Sequence, residues 1–380
     1  MKEFLKKDGT RSLIASILCI LGGIFVGFVV LLLLAIFTKD IPIGQAFQGL
    51  GIVLSGPFSS GRNAMFQLGN MLFNTTPLIF TGLSVAIAFK TGLFNIGAPG
   101  QYLMGAMAAL IVSLSIPSSV VPPAIIWILA LLAGALAGAL WGAIPGMFKA
   151  FLNVNEVIVC IMSNWIAANV VSWVFADSKF INYAETKVNF IVKTETNNIA
   201  TPTLGLDSLF SGGSVKSYVD ISIFIAIFVA IVMYIIMNKT TFGYELQACG
   251  FNKNASKYAG MNEKRNIILS MAIAGALAAS GAALWALNGH QDFKWETYLT
   301  LPADGFNGIS AALLASNNPI GVIFSALFLK FINVGGSNLA ANTAFNEYVS
   351  QLIIAMIVYF SGFARYIISV MKIKGVEKVR

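Results

Sequence analysis

Uncharged apolar runs of about 20 residues recur along this 380-residue chain, and they constrain its fold more than any other feature. The hydrocarbon core of a bilayer is about 30 Å thick, and a helix of about 20 apolar residues spans it. Only 11% of the residues are charged, whereas soluble domains average about 25%. The sequence therefore predicts an all-α polytopic membrane protein and excludes a water-soluble domain.

The number of spans depends on which side of the membrane each terminus lies. Basic residues in the end segments 1–12 and 365–380 place both termini in the cytoplasm by the positive-inside rule, so the number of crossings must be even. The long run 305–333 is broken at SNNPIG, and dividing it at 316–321 raises the count from nine to ten. We therefore expect about ten transmembrane helices within residues 13–364, at 13–37, 66–89, 101–116, 120–148, 156–176, 219–237, 266–287, the two halves of 305–333, and 348–364.

Two polar segments separate these spans. Segment 177–217 is the longest external one, and we expect it to form a small extracellular cap. Segment 238–265 is the main internal loop and carries five basic residues. Its pattern fits either an ordinary positive-inside loop or a short cytoplasmic helix that docks on another protein.

Glycine, proline and amide residues interrupt the apolar chain in TGLFNIGAPGQ, residues 91–101, and again in ALLASNNPIG. Broken backbone inside a membrane is tolerated only where it is buried in protein or lines a cavity. The amides could therefore bond the freed backbone groups or face a solute; these residues are Asn74, Asn95, Gln101, Asn164, Asn307, Asn317 and Asn318. A pair of such segments also indicates inverted repeats in transporters, although glycine is common in membrane helices generally.

Small residues recur at every fourth position of the fourth span, at Gly134, Gly138, Gly142 and Gly146. Such a stripe lets helix backbones approach closely. The sequence therefore predicts tight packing of this helix within the bundle.

Several function classes are disfavoured. The sequence has no G-x-x-x-x-G-K-[ST] motif for ATP, no Cys/His cluster for zinc and no nucleophile–base constellation. We expect no acidic residue at the centre of a span, which argues against ion coupling. His290 is interpreted as a solvated loop residue, and Cys19, Cys160 and Cys249 as buried thiols without disulfides. The net charge of +8 lies in short segments between spans and sets topology, so no nucleic-acid partner is expected.

Four stretches in this order and spacing carry a family resemblance: GLFNIGAPGQYLMGA, NVNEVIVCIMSNWIA, GYELQACGFNKNASKYAGM and GISAALLASNNPIGV. They resemble the permease subunits of ABC importers over roughly residues 65 to 335. The chain is similar to the branched-chain amino acid and simple-sugar permeases, and within them to nucleoside permeases that work with a Bmp-type lipoprotein. It departs from many of these relatives at Pro99, where they carry an acid.

The resemblance implies a multi-pass permease domain in the cell membrane, over residues 13–364, that has no ATPase site or cofactor of its own. The implied partners are a cytoplasmic ABC ATPase that binds ATP, a second and different permease subunit, and an external substrate-binding lipoprotein. Among the substrates that the resemblance implies, nucleosides are favoured, followed by simple sugars and then branched-chain amino acids. The alternative class is a secondary carrier that works without ATP.

Two sets of residues follow from these interpretations. In segment 238–265, the residues expected to couple the permease to the ATPase are Glu245, Gly250, Asn254, Tyr258 and Gly260. Those expected to line the substrate pathway are Asn74, Phe94, Asn95, Gln101, Asn164 and Asn307, while Trp165 could add an apolar wall beside a nucleobase.

Overall fold

The fold is given by a computed structural model, which describes residues 8–38, 41–176, 178–182, 187–188, 199–290, 293, 301–363, 366–367 and 369. Its long helices are α1 Asp8–Phe37, α3 Ala64–Lys90, α4 Ala98–Ser115, α5 Pro123–Leu152, α6 Glu156–Ala176, α8 Ser222–Lys239, α11 Glu263–Ala286 and α13 Pro319–Asn342. The shorter helices are α2 Ile43–Ser55, α7 Leu206–Leu209, α9 Thr241–Phe251, α10 Lys253–Tyr258, α12 Ala303–Leu314 and α14 Tyr348–Ser361. A 3-10 segment, Gly56–Asn63, joins α2 to α3, and strands β1 Ile181–Asn182 and β2 Lys187–Val188 pair antiparallel.

Eight helical stretches of the described chain are long and apolar enough to cross a membrane. This confirms the polytopic all-α fold. The remaining two predicted spans correspond to α12 and α14, which have 12 and 14 residues. At 1.5 Å per residue, α12 covers about 18 Å and is therefore a half-length helix. The count of ten crossings and the cytoplasmic position of both termini stay predictions, and most of segment 365–380 lies outside the described residues.

The predicted break in the run 305–333 is confirmed. Helix α12 ends at Leu314 and α13 begins at Pro319, and the turn between them places Ser316 and Asn317 at φ values of 51° and 59°. The predicted end at residue 333 is wrong, because α13 continues to Asn342. Two glycines in this extension, Gly335 and Gly336, lie directly against α2 and α14, so close packing stabilises the added turns.

Helix α2 and the 3-10 segment form a hairpin that the sequence analysis did not predict. Gly49 of α2 contacts Leu339 and Gly56 contacts Phe331, so α2 runs antiparallel to α13. The chain then turns back, and Ser60 of the 3-10 segment bonds the Asn338 side chain at 3.0 Å. With 13 residues, α2 is too short to register as a span, which is why it was missed.

The centre of the bundle is the contact between α3 and α11, where Gly281 lies against Pro77 and Phe80. Helix α11 packs in turn against α4 and α5, whereas α3 packs against α12 and α13. With the two halves taken as α3–α6 and α11–α14, the first helix of each half packs against helices of the other half. This reciprocal packing supports the inverted repeat inferred from the two interrupted segments.

The predicted tight packing of the glycine stripe of α5 is confirmed, and its main partner is α11. Gly134 contacts Ala283, Gly138 contacts Gly275, and Gly146 contacts Ile268. Carbonyl oxygens of α11 lie within van der Waals distance of where a Cβ would be, so a side chain at these positions would push the helices apart.

We expect Gly138→Leu to lower the stability of the purified protein by about 1–3 kcal/mol, because the larger side chain overpacks the α5–α11 contact. Thermal unfolding in detergent measures this. Gly51→Leu is the matched control, since a Cβ at Gly51 meets nothing within 4 Å. Equal melting of the two variants would contradict the proposed importance of this helix contact.

Candidate translocation site and cytoplasmic docking unit

The first interrupted segment, residues 91–97 between α3 and α4, is held in place by side-chain amides. Asn95 and Gln101 are buried, at 0% and 1% exposure. Asn95 Nδ2 donates to Gln101 Oε1 at 2.7 Å, and Gln101 Nε2 donates back to Asn95 Oδ1 at 3.0 Å. Asn95 also donates to Ser84 Oγ and accepts from the Gly97 amide. This geometry favours the structural alternative for both amides, and their role as pathway residues stays a prediction.

Asn164 of α6 satisfies the backbone that the interruption frees. Its Nδ2 donates to the Ile96 carbonyl at 3.0 Å, while its Oδ1 accepts from the Gly100 amide at 2.9 Å. The amide of Gly100 is one of the N–H groups that the start of α4 leaves without an intrahelical partner. A single side chain therefore joins α6 to both sides of the break.

The first turns of α4 and α12 meet. Gly305, in the first turn of α12, lies directly against Pro99, in the first turn of α4. At the other end of α12, Asn318 caps α13 by accepting from the Ile320 amide at 3.0 Å. The N-termini of two helices thus adjoin within the bundle, an arrangement typical of transporters with broken helices.

An ion pair lies at this junction. Lys330 Nζ is 2.7 Å from Asp304 Oδ1, and the two side chains are only 17% and 22% exposed. Lys330 is the twelfth of the 24 residues of α13, near the middle of a membrane-length helix. Asp304 is the second residue of α12 and therefore does not lie at the centre of a span. The sequence pattern did not indicate this pair, although a lysine at this depth requires a counter-charge.

Polar side chains continue from this pair along the surface of the bundle. Lys330, Asn333 and Ser337 follow one face of α13 at intervals of three and four residues, and the last two are exposed. Asn307 of α12 is exposed as well. We call these four residues with Asp304 the polar stripe. Polar groups at a bilayer-facing surface are costly, so the stripe marks a candidate solute path.

The other predicted pathway residues are dispersed. Asn74 is half-buried and donates to the Asn70 carbonyl at 2.9 Å within α3. Phe94 is half-buried and packs against Phe89, with ring centroids 5.0 Å apart. Trp165 is 47% exposed on α6. The structure therefore brings Asn95, Gln101 and Asn164 into one buried cluster and leaves Asn307 on the polar stripe.

Helices α9 and α10, in segment 238–265, form a unit here called the docking unit. Thr240 caps α9 and Asn252 caps α10, each by accepting a backbone N–H. Three rings project from the unit, with Tyr244, Phe251 and Tyr258 exposed to 68%, 88% and 94%. A short helix is thus present in this segment, while its cytoplasmic position and a docking partner stay predictions.

The docking unit contacts the first interrupted segment directly. The backbone of Gly250 lies against Thr91 and Gly92, and a Cβ on Gly250 would be 2.7 Å from the Gly92 nitrogen. Close by, the hydroxyls of Thr91 and Ser270 are hydrogen-bonded. Of the other predicted coupling residues, Glu245 is half-buried, Asn254 is exposed, and Gly260 ends the unit at a φ of 81°.

Two carboxylates, one in α7 and one just before α8, make polar contacts. Lys216 hydrogen-bonds Asp207 and lowers the pKa of that carboxyl. Burial raises the pKa of Asp220, whose oxygens accept from the Ser222 amide and from Asn288 Nδ2. These contacts tie the loop before α8 to the end of α11. Across the part of the chain that the structure describes, no group of three or more His, Cys, Asp or Glu side chains could hold a metal ion.

We expect Asn95→Ala to destabilise the protein by about 1–3 kcal/mol, because it leaves the buried amide of Gln101 without its partner. Thermal unfolding of the purified chain measures this, and Asn254→Ala at an exposed position is the control. An unchanged melting temperature with reduced transport would instead assign Asn95 to the solute path.

Comparison with known proteins places the chain in a family. The family described as branched-chain amino acid transport system / permease component matches residues 67–361. The guanosine ABC transporter permease protein NupP of Bacillus subtilis is 34% identical over 346 residues, covering 88% of this chain and 95% of the relative. The nucleoside ABC transporter permease protein NupB of Lactococcus lactis is 33% identical over 319 residues, covering 83% and 84%.

A glucose ABC transporter permease protein of Haloferax volcanii is 29% identical over 319 residues, covering 81% of this chain and 80% of the relative. No solved structure matches the chain significantly. The family match covers most of the chain, and the membrane-length helices agree with a multi-pass protein of the cell membrane. This chain therefore belongs to the branched-chain amino acid transport system / permease component family of ABC transporter permeases.

Proposed function

We propose that this chain is the membrane-spanning permease subunit of an ATP-driven importer that takes up nucleosides. The observation that carries the proposal is the similarity to guanosine and nucleoside permeases along most of their length. A simple-sugar importer is the second candidate, because the glucose permease also aligns with 81% of this chain.

The energy for transport comes from a separate subunit in this proposal. The sequence has no P-loop to bind ATP. The docking unit instead presents large exposed rings at Tyr244, Phe251 and Tyr258. Aromatic residues are enriched where proteins bind one another, so this surface fits a cytoplasmic ABC ATPase.

Movement of the ATPase would reach the membrane through Gly250. Because its backbone lies on Thr91 and Gly92, a shift of the docking unit moves the start of the interrupted segment. A second link is the hydrogen bond from Asn266 Nδ2 of α11 to Cys249 Sγ, at 3.4 Å. The docking unit therefore has contacts with both central helices through which a displacement can act.

A second permease subunit is proposed because the polar stripe is open on one side. Asn307, Asn333 and Ser337 are exposed, and lipid would leave their polar groups without hydrogen-bond partners. A different permease that covers this surface would enclose a path between the two chains. The external lipoprotein would deliver substrate at the outer face, where the described part of the external loop, residues 199–217, lies.

The secondary carrier stays the alternative class. The Asp304–Lys330 pair shows that this chain does hold a carboxylate within the bundle, a feature that ion-coupled carriers use. Here the lysine compensates its charge, so the pair as a whole brings no net charge into the bundle.

The proposal is tested by reconstituting the chain with its ATPase, companion permease and binding lipoprotein in vesicles. We expect ATP-dependent uptake of radiolabelled guanosine and uridine, and no uptake without ATP. Uptake of glucose alone would support the sugar permease, and uptake by the purified single chain without ATP would support a secondary carrier.

We expect Gly250→Val to reduce nucleoside uptake by about tenfold or more in this assembly while ATP hydrolysis continues, because the added side chain separates the docking unit from Gly92. Uptake and ATP hydrolysis are measured together. Gly44→Val is the control, since its Cβ meets nothing within 4 Å. Normal coupling in Gly250→Val would show that this contact does not transmit movement.

A further inference from the structure

The outward face of α6 differs from the other exposed apolar faces of the bundle. On α5 the exposed large side chains of the middle turns are Leu132, Leu136 and Leu140, which suits a lipid surface. Along α6 the exposed residues include Trp165, Asn169 and Trp173, at intervals of four. Residues four apart share one side of a helix. Two indole rings and an amide therefore occupy a single face.

This face carries a shallow, widely open depression of about 480 Å³, here called the groove. Its lining residues all come from α6: Met162, Trp165, Ile166, Asn169, Val170 and Trp173. Because one helix supplies every lining residue, the groove is open on the opposite side. A second permease subunit at that side would convert it into an enclosed site.

The depth of Trp165 and Asn169 argues against lipid as their natural neighbour. Tryptophans that anchor a helix in a bilayer concentrate at its two interfaces. Trp173, the eighteenth of the 21 residues of α6, lies where such an anchor is found, but Trp165 is the tenth. Asn169, one turn further on, would place an amide in hydrocarbon near the same depth, which is unfavourable.

Asn169 retains hydrogen-bonding capacity toward the groove. Its Nδ2 donates to the Trp165 carbonyl at 2.8 Å within the helix. A side-chain amide has two N–H donors and one acceptor oxygen, so one N–H and Oδ1 are left beyond this bond. A donor and an acceptor side by side match the hydrogen-bonding edge of a nucleobase.

We propose that this face binds the base of a nucleoside during its passage, and the inference rests on the proposed nucleoside import. The base stacks on the Trp165 or Trp173 ring, since every base has a π-face that an indole can cover. The side chain of Asn169 pairs with the edge of the base through its remaining N–H and Oδ1. The three residues thus select a flat, hydrogen-bonding solute over a sugar.

The location fits a path through the assembly. Asn164, which precedes Trp165, bonds Gly100 of α4, and the neighbouring Pro99 contacts Gly305 of α12. Helices α6 and α12 therefore both contact the first turn of α4. A base held at α6 leaves its ribose hydroxyls to polar groups elsewhere along the path.

Cysteine labelling tests whether water reaches this face and whether guanosine covers it. In the complete transporter, we expect Asn169→Cys to react with a water-soluble maleimide, and saturating guanosine to slow that reaction several-fold. The native Cys19, Cys160 and Cys249 are buried, so background labelling is low. Leu136→Cys on the lipid-type face of α5 is the unreactive control. An unreactive Asn169→Cys, or one that guanosine does not protect, overturns the inference.

Transport by substituted complexes gives a second measurement. We expect Asn169→Leu and Trp165→Leu to lower the kcat/KM for guanosine uptake by about tenfold each, the size of effect that loss of one stacking or pairing contact produces. Phe228→Leu, at an exposed position of α8, should transport like the wild type. If the wild type takes up guanosine and both Asn169→Leu and Trp165→Leu match it, the inference fails while nucleoside import stands. If the wild type takes up no nucleoside, the proposed function itself fails.

Discussion

The structure depends on one constraint: backbone groups freed by a broken helix inside a membrane must find partners within the protein. Asn164 provides them on both sides of the first break, at Ile96 and Gly100. Asn95 and Gln101 then fix the loop by bonding each other. These amides are therefore what allows α4 to begin in the interior of the bundle, where its first turn meets that of α12 at Pro99 and Gly305.

The same break is joined to the docking unit by backbone contact. Gly250 and Gly92 touch without intervening side chains, and Gly92 adopts a φ of 72°, which only glycine takes readily. A contact between two backbones has no side chain that could change rotamer and relieve the contact. We therefore propose that a displacement of the docking unit would be passed to residues 91–97, whose far end carries Asn95 and its bonds to Ser84 and Gln101.

The sequence predicted what depends on local pattern, and it failed where partners are distant along the chain. Apolar runs located every long helix, and the glycine spacing of α5 predicted tight packing within the bundle, although not that its partner is α11. Helix α2 was missed because its 13 residues are too few to signal a span. The Asp304–Lys330 pair was not predicted, because its two residues lie 26 positions apart on different helices. Whether Asn95 faced backbone or solute was equally undecidable, since that depends on Ser84 and Cys160 around it.

The distribution of polar groups separates two kinds of amide. Buried amides at Asn95, Gln101 and Asn164 bond backbone or one another, so their hydrogen-bonding capacity is directed inward. Asn169, Asn307 and Asn333 lie at the surface, where lipid would offer them no partners. Passage of a polar solute is served by exposed amides, which are neutral and only partly satisfied within the chain, because isolated fixed charges would hold ions tightly. The proposed second permease subunit would exclude lipid from these exposed amides, and in this proposal the route forms only on assembly.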